Sequence, residues 1–304
     1  MQAKRSNPLG NTTMNTHSFT FEAIGTHWQI DINANISSQE QKELLQKITN
    51  RIEIFDQTYS RFRKDSLVTK VVAQPGTHLF PADAPPLFTI YQNLYKATGG
   101  AFTPLIGKTI SEAGYDSNYS FKQQPLSAPL PLQSITFKGR KITTTRPLLI
   151  DVGAAGKGYL IDLIGELLAK EKFHDFCIDA GGDILQSDTS NNQIRVGLEH
   201  PEHADQVIGV VNIANKSICG SAGNRRKWGD FHHIINANTL ASPTDIIATW
   251  VVTDTALVAD AIATCLFFTP AEELLPYYQF EYLSMYADHT VKKSSHFPGK
   301  LFYN

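Results

Sequence analysis

The chain has 304 residues, 42% of them hydrophobic and 18% charged, enough for one large domain or two packed lobes with a sizeable core. A net charge of −2 with a pI near 6.5 gives no basic surplus for holding nucleic acid, and no apolar run reaches the roughly 18 residues of a transmembrane helix. The three cysteines, Cys177, Cys219 and Cys265, sit far apart in apolar runs, which predicts buried thiols rather than a disulfide or metal framework.

Residues 1–17 are polar and read as disordered or loosely attached, leaving 18–304 as a single domain. Lys4 and Arg5 are followed by no apolar stretch, so neither a signal peptide nor a lipobox is expected. That sets the expectation of a cytoplasmic protein, or a periplasmic one if a leader has been removed.

Thr20 to Ile32 alternates like a strand pair interrupted at Ile24-Gly25-Thr26. Ser37 or Ser38 caps a predicted helix with Leu44, Leu45, Ile48, Ile52 and Phe55 on one face. Tyr59 to Ser66 is a polar loop with embedded aromatics. Pro85 to Ala97 predicts a second helix, stopped by Gly99-Gly100. Residues 113–147 read as a Pro/Ser-rich loop with short strands.

Leu148-Leu149-Ile150 reads as a buried strand entering a glycine-rich turn, Asp151 to Gly158, and an amphipathic helix carrying Ile161, Ile164, Leu167 and Leu168. A helix N-terminus presents free amides and partial positive charge, so such a joint is a ready anion site, to which Lys157 adds a point charge. Two residues separate Gly153 from Gly156, and Gly158 follows Lys157, which rules out the Walker A spacing and the dinucleotide fingerprint. The segment is either a phosphate cradle or a tight structural turn. Asp151 favours the cradle, since a carboxylate beside a phosphate implies a metal, sugar or base contact.

Strands are expected at Asp175–Gln186, broken by Gly181-Gly182, and at 194–198, 207–213, 232–235, 247–252 and 282–286. Thr255 to Phe268 predicts an apolar helix in which Asp260 and Thr264, four apart, share a face. A lone aspartate there is costly unless paired with a buried cation or bound to metal, and a carboxylate, a hydroxyl and a glycine-turn carbonyl suit magnesium beside a phosphate. His233 is either a structural or a catalytic histidine. Arg225-Arg226-Lys227 is either a solvated turn or a phosphate attractor. Short strands interspersed with helices, without regular alternation, predict a mixed α/β or α+β fold rather than a doubly wound sheet.

Together these segments resemble the FAD:protein FMN transferase (ApbE) family from about Phe19 to Phe268, in the family's order. The family's Asp-Leu-Gly-Gly-Ile-Ala-Lys-Gly-Tyr is similar to Asp151–Tyr159, its Gly-Gly-Asp to Gly181-Gly182-Asp183, and its Ala-Asp-Ala-Leu-Ala-Thr to Ala259–Thr264. Ile24-Gly25-Thr26 and Ser60, Phe62 and Ser66 match more weakly. The chain departs from the pattern at Thr103, where the family carries a carboxylate, at Gly220-Ser221-Ala222, and at His233–Leu240, which keeps only the histidine and Thr239.

The resemblance implies an α+β, T-fold-like architecture of many short, mostly antiparallel strands with flanking helices. It implies a magnesium-dependent transfer of FMN from FAD to a threonine or serine of an acceptor flavoprotein, releasing AMP. It places magnesium on Asp260, Thr264 and the Ala154 carbonyl, pyrophosphate at Lys157, and Asp260 or His233 as proton acceptor. Asp151 and Thr103 would sit near the flavin nucleotide; Ile24, Phe62, Ala101, Phe102 and Ile234 would contact the flavin. A magnesium-dependent FAD pyrophosphatase, or a non-catalytic FAD-binding homologue, fits the same residues.

Overall fold

A computed structural model describes residues 15–224 and 226–302. The stretch 1–14 and Arg225, the first residue of the basic triplet, lie outside the described residues. The first strand, β1 (Thr16–Ala23), starts inside the segment expected to be a polar tail and turns through Ile24-Gly25 into β2 (Thr26–Asn33). Both turn residues are left-handed, with φ of 45° and 76°. Gly25 adopts this freely, whereas Ile24 is β-branched and strained there. Helix α1 (Ser38–Tyr59) is capped by Ser37 in a reciprocal box with Glu40. Then come α2 (Leu67–Ala73), β3 (Thr77–Leu79), α3 (Pro85–Ala97), α4 (Gly107–Glu112), β4 (Ile135–Lys138) and β5 (Lys141–Thr144).

The expected strand at Leu148–Ile150 does not form. Leu148 and Ile150 are buried, but this stretch runs through the core without pairing to a neighbouring strand, and the Asp151 amide donates to Pro104 O at 2.8 Å. The glycine segment after it is not a loop either: α5 runs Gly153–Lys170, so Gly153, Gly156 and Gly158 all lie inside the helix with negative φ. At Gly158, and further along at Gly165, the reason for glycine is close packing. A Cβ on Gly158 would stand 2.1 Å from the Ala256 carbonyl oxygen, and one on Gly165 would stand 2.8 Å from Leu185 Cδ2.

The remaining elements are β6 (Phe176–Ala180), β7 (Asp183–Ser187), β8 (Ile194–Glu199), β9 (Val207–Ile213), β10 (Ser217–Ala222), β11 (Lys227–Trp228), β12 (Phe231–His232), β13 (Ile246–Thr253), α6 (Ala256–Cys265), α7 (Ala271–Leu274), β14 (Glu281–Tyr286), β15 (Val291–Lys293) and β16 (Gly299–Leu301). The expected strand over 232–235 shrinks to the two-residue β12, whose partner is β11. The Gly181-Gly182 break is a hairpin turn with both glycines left-handed, at φ 63° and 94°.

Eight strands form the main sheet in the order β1-β2-β6-β7-β10-β13-β14-β15, and every strand pairing among the described residues is antiparallel. Side chains alternate between its faces with period two. Phe176, Ile178, Cys219, Val251 and Tyr282 join the large core that also holds residues of α1, α3, α5 and α6. Cys177, Ile184, Ile218, Trp250, Val252 and Leu283 join a second core with β8 and β9. The sheet therefore lies between a helical layer and the three-stranded sheet β16-β9-β8. This is the mixed fold that the sequence pattern predicts, with the mostly antiparallel strands and flanking helices that the family resemblance implies.

Candidate active site

Helices α5 and α6 cross the sheet antiparallel and touch at intervals of one turn. Near one end the Thr264 hydroxyl lies 3.5 Å from the Ala154 carbonyl oxygen; in the middle the Gly158 amide donates to Asp260 Oδ2 at 2.8 Å. At the other end both carboxylate oxygens of Asp162 accept amides at the start of α6, from Ala256 and Leu257, each at 2.8 Å. Glycine at 158 allows this approach. The ladder brings the Ala154 carbonyl, Asp260 and Thr264 to one side of the helix pair.

The sheet supplies the other half. Asp183, first residue of β7, is 1% exposed; Lys157 of α5 donates to its Oδ2, and the Gly220 amide of β10 donates to its Oδ1 at 3.1 Å. Burial alone would depress the Lys157 ammonium, but Asp183 and Asp260 outweigh it and hold the group above the usual lysine range. Asp260 has no lysine or arginine of its own within ion-pairing distance among the described residues. Burial, with Asp183 nearby, pushes its carboxyl up to about 7. The Tyr91 hydroxyl, buried without a hydrogen-bond partner, is pushed far up by burial and by the charges of Asp151 and Asp260.

A third acid, Asp151, is spent before α5 begins. Its Oδ1 accepts the Gly153 amide at 2.7 Å, and its Oδ2 meets Arg61 Nε at 2.6 Å. Arg61 is itself buried; it also donates to Tyr115 O at 2.8 Å and lies 4.2 Å over the Phe62 ring. Phe62 further stacks on Tyr119 at 5.3 Å. Phe102 is covered by Tyr91, with ring centroids 4.9 Å apart. The Ala101 carbonyl accepts the Ala237 amide at 3.1 Å, which ties this segment to the one following His233. Thr103 uses its hydroxyl to accept the Leu105 amide at 3.2 Å and borders a cavity of about 170 Å³ with Gly100 and Asn238. Ile234 is buried, and Ile24 is the strained turn residue beside β2. That turn sits against the other hairpin, for a Cβ on Gly181 would stand 2.1 Å from Thr26 Oγ1.

His233 presents a buried Nδ1 with no partner, and burial, aided by Arg226, His232 and Lys157, pushes its pKa down to about 3. The imidazole is therefore neutral across the physiological range.

The sequence model of the ApbE family matches residues 24–286. The chain belongs to the ApbE family. Its relatives include the protein of Escherichia coli (strain K12) named FAD:protein FMN transferase, 22% identical over 292 residues that span 87% of this chain and 82% of that one. The Treponema pallidum (strain Nichols) protein of the same name is 23% identical over 278 residues, covering 80% and 76% of the two chains. Among solved structures, the flavin transferase ApbE from Vibrio cholerae superposes with a TM-score of 0.77 at 17% identity, over 93% of this chain and 98% of that one. The ApbE protein from Thermotoga maritima gives 0.79 at 18% identity, with the same coverage.

In this ApbE chain, the residues expected to hold metal and pyrophosphate, namely Ala154, Lys157, Asp260 and Thr264, converge. Of those expected around the flavin, Asp151 and Phe62 meet through Arg61, and Phe102 packs on Tyr91, whose hydroxyl feels the charges of Asp151 and Asp260. Three members of the site carry no assignment from sequence reasoning: Asp183, Arg61 and Tyr91. Asp183 was visible in its Gly-Gly-Asp segment. Arg61 lies among Arg63 and Lys64 in a polar loop, and nothing in the sequence separates the buried guanidinium from its solvated neighbours. Tyr91 sits on the apolar face of a helix like any core residue.

The donor set fits a magnesium ion. It offers a buried carboxylate without a partner cation, a threonine hydroxyl, a peptide carbonyl and a nearby unpartnered phenol, all oxygen.

Proposed function

We propose that this protein transfers FMN from FAD to the hydroxyl of a threonine or serine on an acceptor flavoprotein, with AMP as leaving group. The curated relatives named above are FAD:protein FMN transferases, and the α5–α6 ladder that aligns Ala154, Asp260 and Thr264 beside Lys157 carries the proposal. Asp260, Thr264 and the Ala154 carbonyl hold magnesium, which when bound neutralises charge developing on the pyrophosphate oxygens.

Lys157 holds the pyrophosphate electrostatically, and Asp183 fixes the lysine's position by accepting from it while the Gly220 amide steadies the aspartate. Arg61, locked to Asp151, shapes the flavin side of the site. The acceptor oxygen forms a bond to the FMN-side phosphorus as the bond from that phosphorus to the bridging oxygen breaks. The hydroxyl proton passes to a group of this chain. Asp260 and His233 are the two candidate acceptors: without an ion, burial and Asp183 raise the Asp260 carboxyl whereas burial lowers His233, and an ion held on Asp260 would oppose the first of these shifts.

The test is incubation of the protein with FAD, magnesium and a flavin-acceptor domain, followed by intact mass and nucleotide analysis. An acceptor heavier by one FMN, with an equal amount of AMP, supports transfer. Free FMN and AMP without modified acceptor would make the protein a pyrophosphatase, and tight FAD binding without turnover would make it a flavin-binding homologue.

A further inference from the structure

Away from that site, two connections bring three imidazoles and a carboxylate together. His200, buried at 7% exposure, follows β8 directly, and His203 in the same loop places its ring centroid 4.8 Å from that of His200. The turn between β14 and β15 brings His289 to 5.8 Å from His200, ring to ring, with its Nε2 3.0 Å from Glu202 Oε2. One ligand atom each from His200, Glu202 and His289 lies within 4.8 Å of the others.

Both connections are held in place. The His200 amide donates to Gln206 O at 3.0 Å and the Gln206 amide to His203 O at 2.9 Å. Across the sheet edge, the His289 amide donates to Tyr286 O at 2.9 Å, and Asp288 Oδ1 accepts the Thr290 amide at 3.0 Å. His289 itself is left-handed, with φ 66°.

Three clustered imidazoles would repel one another if protonated. Burial, together with His203 and His289, holds His200 below the usual histidine range, keeping it in the neutral form that binds metal. Around a tetrahedral zinc ion neighbouring donors stand about 3.3 Å apart, close to the Glu202–His289 spacing. The half-exposed side chains of those two residues can swing to close the wider gap to His200. The Glu202 amide donates to His200 Nδ1 at 3.1 Å, a bond that an ion at that nitrogen would replace.

We propose that His200, Glu202 and His289 bind a divalent transition metal of the zinc class, with a fourth position open to His203 or water. The nitrogen-rich donor set selects a softer ion than the all-oxygen set at Asp260. The bound ion would clip the β8–β9 loop to the β14–β15 edge of the main sheet.

The test uses the full chain, stripped with chelator and kept in excess magnesium, titrated with zinc against a chromophoric competitor and with cobalt by visible absorption. One zinc equivalent bound with a Kd below about 1 µM, with a cobalt band of four- or five-coordinate type, is expected. His289→Asn, which tolerates the left-handed backbone, and Glu202→Gln should each weaken binding by at least about tenfold and leave flavin transfer unchanged. Asp260→Asn should leave zinc binding intact. A Kd above about 100 µM, indifference to both loop variants, or loss of zinc binding in Asp260→Asn would overturn the proposal.

Discussion

The Gly158 amide and the Asp260 carboxylate meet at 2.8 Å across two helices, and this bond sets how close α5 and α6 lie. One turn along in one direction it brings Ala154 to Thr264; one turn along in the other it brings Asp162 to the start of α6. The site's oxygen donors are therefore a consequence of helix packing.

Gly158→Ala tests that directly. The added methyl would stand 2.1 Å from Ala256 O and 2.7 Å from Asp260 Cβ, so the helices must part. Overpacking of this kind costs about 1–3 kcal/mol, read as a lower urea midpoint, and transferase activity should fall more steeply than stability because the donors separate. A variant with unchanged magnesium dependence would show that the close crossing is not what builds the site.

Lys157 and Asp183 should behave as one unit. Lys157→Met leaves a carboxylate that is 1% exposed without its cation, a change expected to cost about 3–5 kcal/mol. Adding Asp183→Asn should restore most of that stability while activity stays lost, since the lysine proposed to hold the pyrophosphate is gone. Additive losses in the double variant, measured by denaturant unfolding, would separate the two residues.

The sequence made some of this site legible and hid the rest for physical reasons. Period-two and period-3.6 patterns located β1, β2, α1 and α3, because each buries a single face. Strand β10, Ser-Ile-Cys-Gly-Ser-Ala, escaped notice because its small and polar residues carry no alternation, although it is central in the sheet and supplies the Gly220 amide. The glycines of Asp151–Gly158 looked like a loop because glycine is a poor helix former. They lie in a helix nonetheless, and at Gly158 glycine is required because the neighbouring helix leaves no room for a Cβ, a tertiary fact invisible in one segment. The Arg61–Asp151 pair joins residues ninety positions apart, and only the fold brings them together.

That pair yields the next prediction. Arg61 contacts Asp151 through Nε, Tyr115 O through Nη2 and Ser111 Oγ through Nη1. A lysine reaches only one of these, so Arg61→Lys should cost about 1–3 kcal/mol through the acceptors left unpaired. The flavin side should loosen, raising the KM for FAD more than it lowers kcat. An unchanged KM in steady-state assays would dissociate Arg61 from flavin binding.

Asp162 gives the chain a defined acid response. Burial outweighs its two amide donors and raises its carboxyl from 3.8 to about 7 in the folded state. The folded protein thus holds this proton more tightly than the unfolded chain. The contribution favours folding most below 3.8, declines as pH rises, and is fully lost above about 7. In magnesium-free buffer, unfolding midpoints should show this decline in the wild type. Asp162→Asn should lack that component while losing about 1–3 kcal/mol from a weakened cap. Parallel midpoint curves for the two proteins would contradict the assignment.

Variants of Asp260 and His233 distinguish the two candidate proton acceptors. With its pKa pushed to about 3, His233 is neutral throughout the working range and has little affinity for the acceptor's proton. Burial first, and the charges of Arg226 and Lys157 after it, oppose protonating its ring. Asp260 has the opposite surroundings when no ion is bound: burial and the neighbouring Asp183 charge favour taking up a proton, so it can serve as base only where a bound ion leaves one of its oxygens free. His233→Gln should therefore keep kcat within about tenfold and preserve the shape of the pH–rate profile. Asp260→Asn should lower kcat by about 10²–10⁴-fold even at saturating magnesium. Loss of the acidic limb in His233→Gln, with Asp260→Asn restored by added magnesium, would move the base to the histidine and leave Asp260 as a ligand alone.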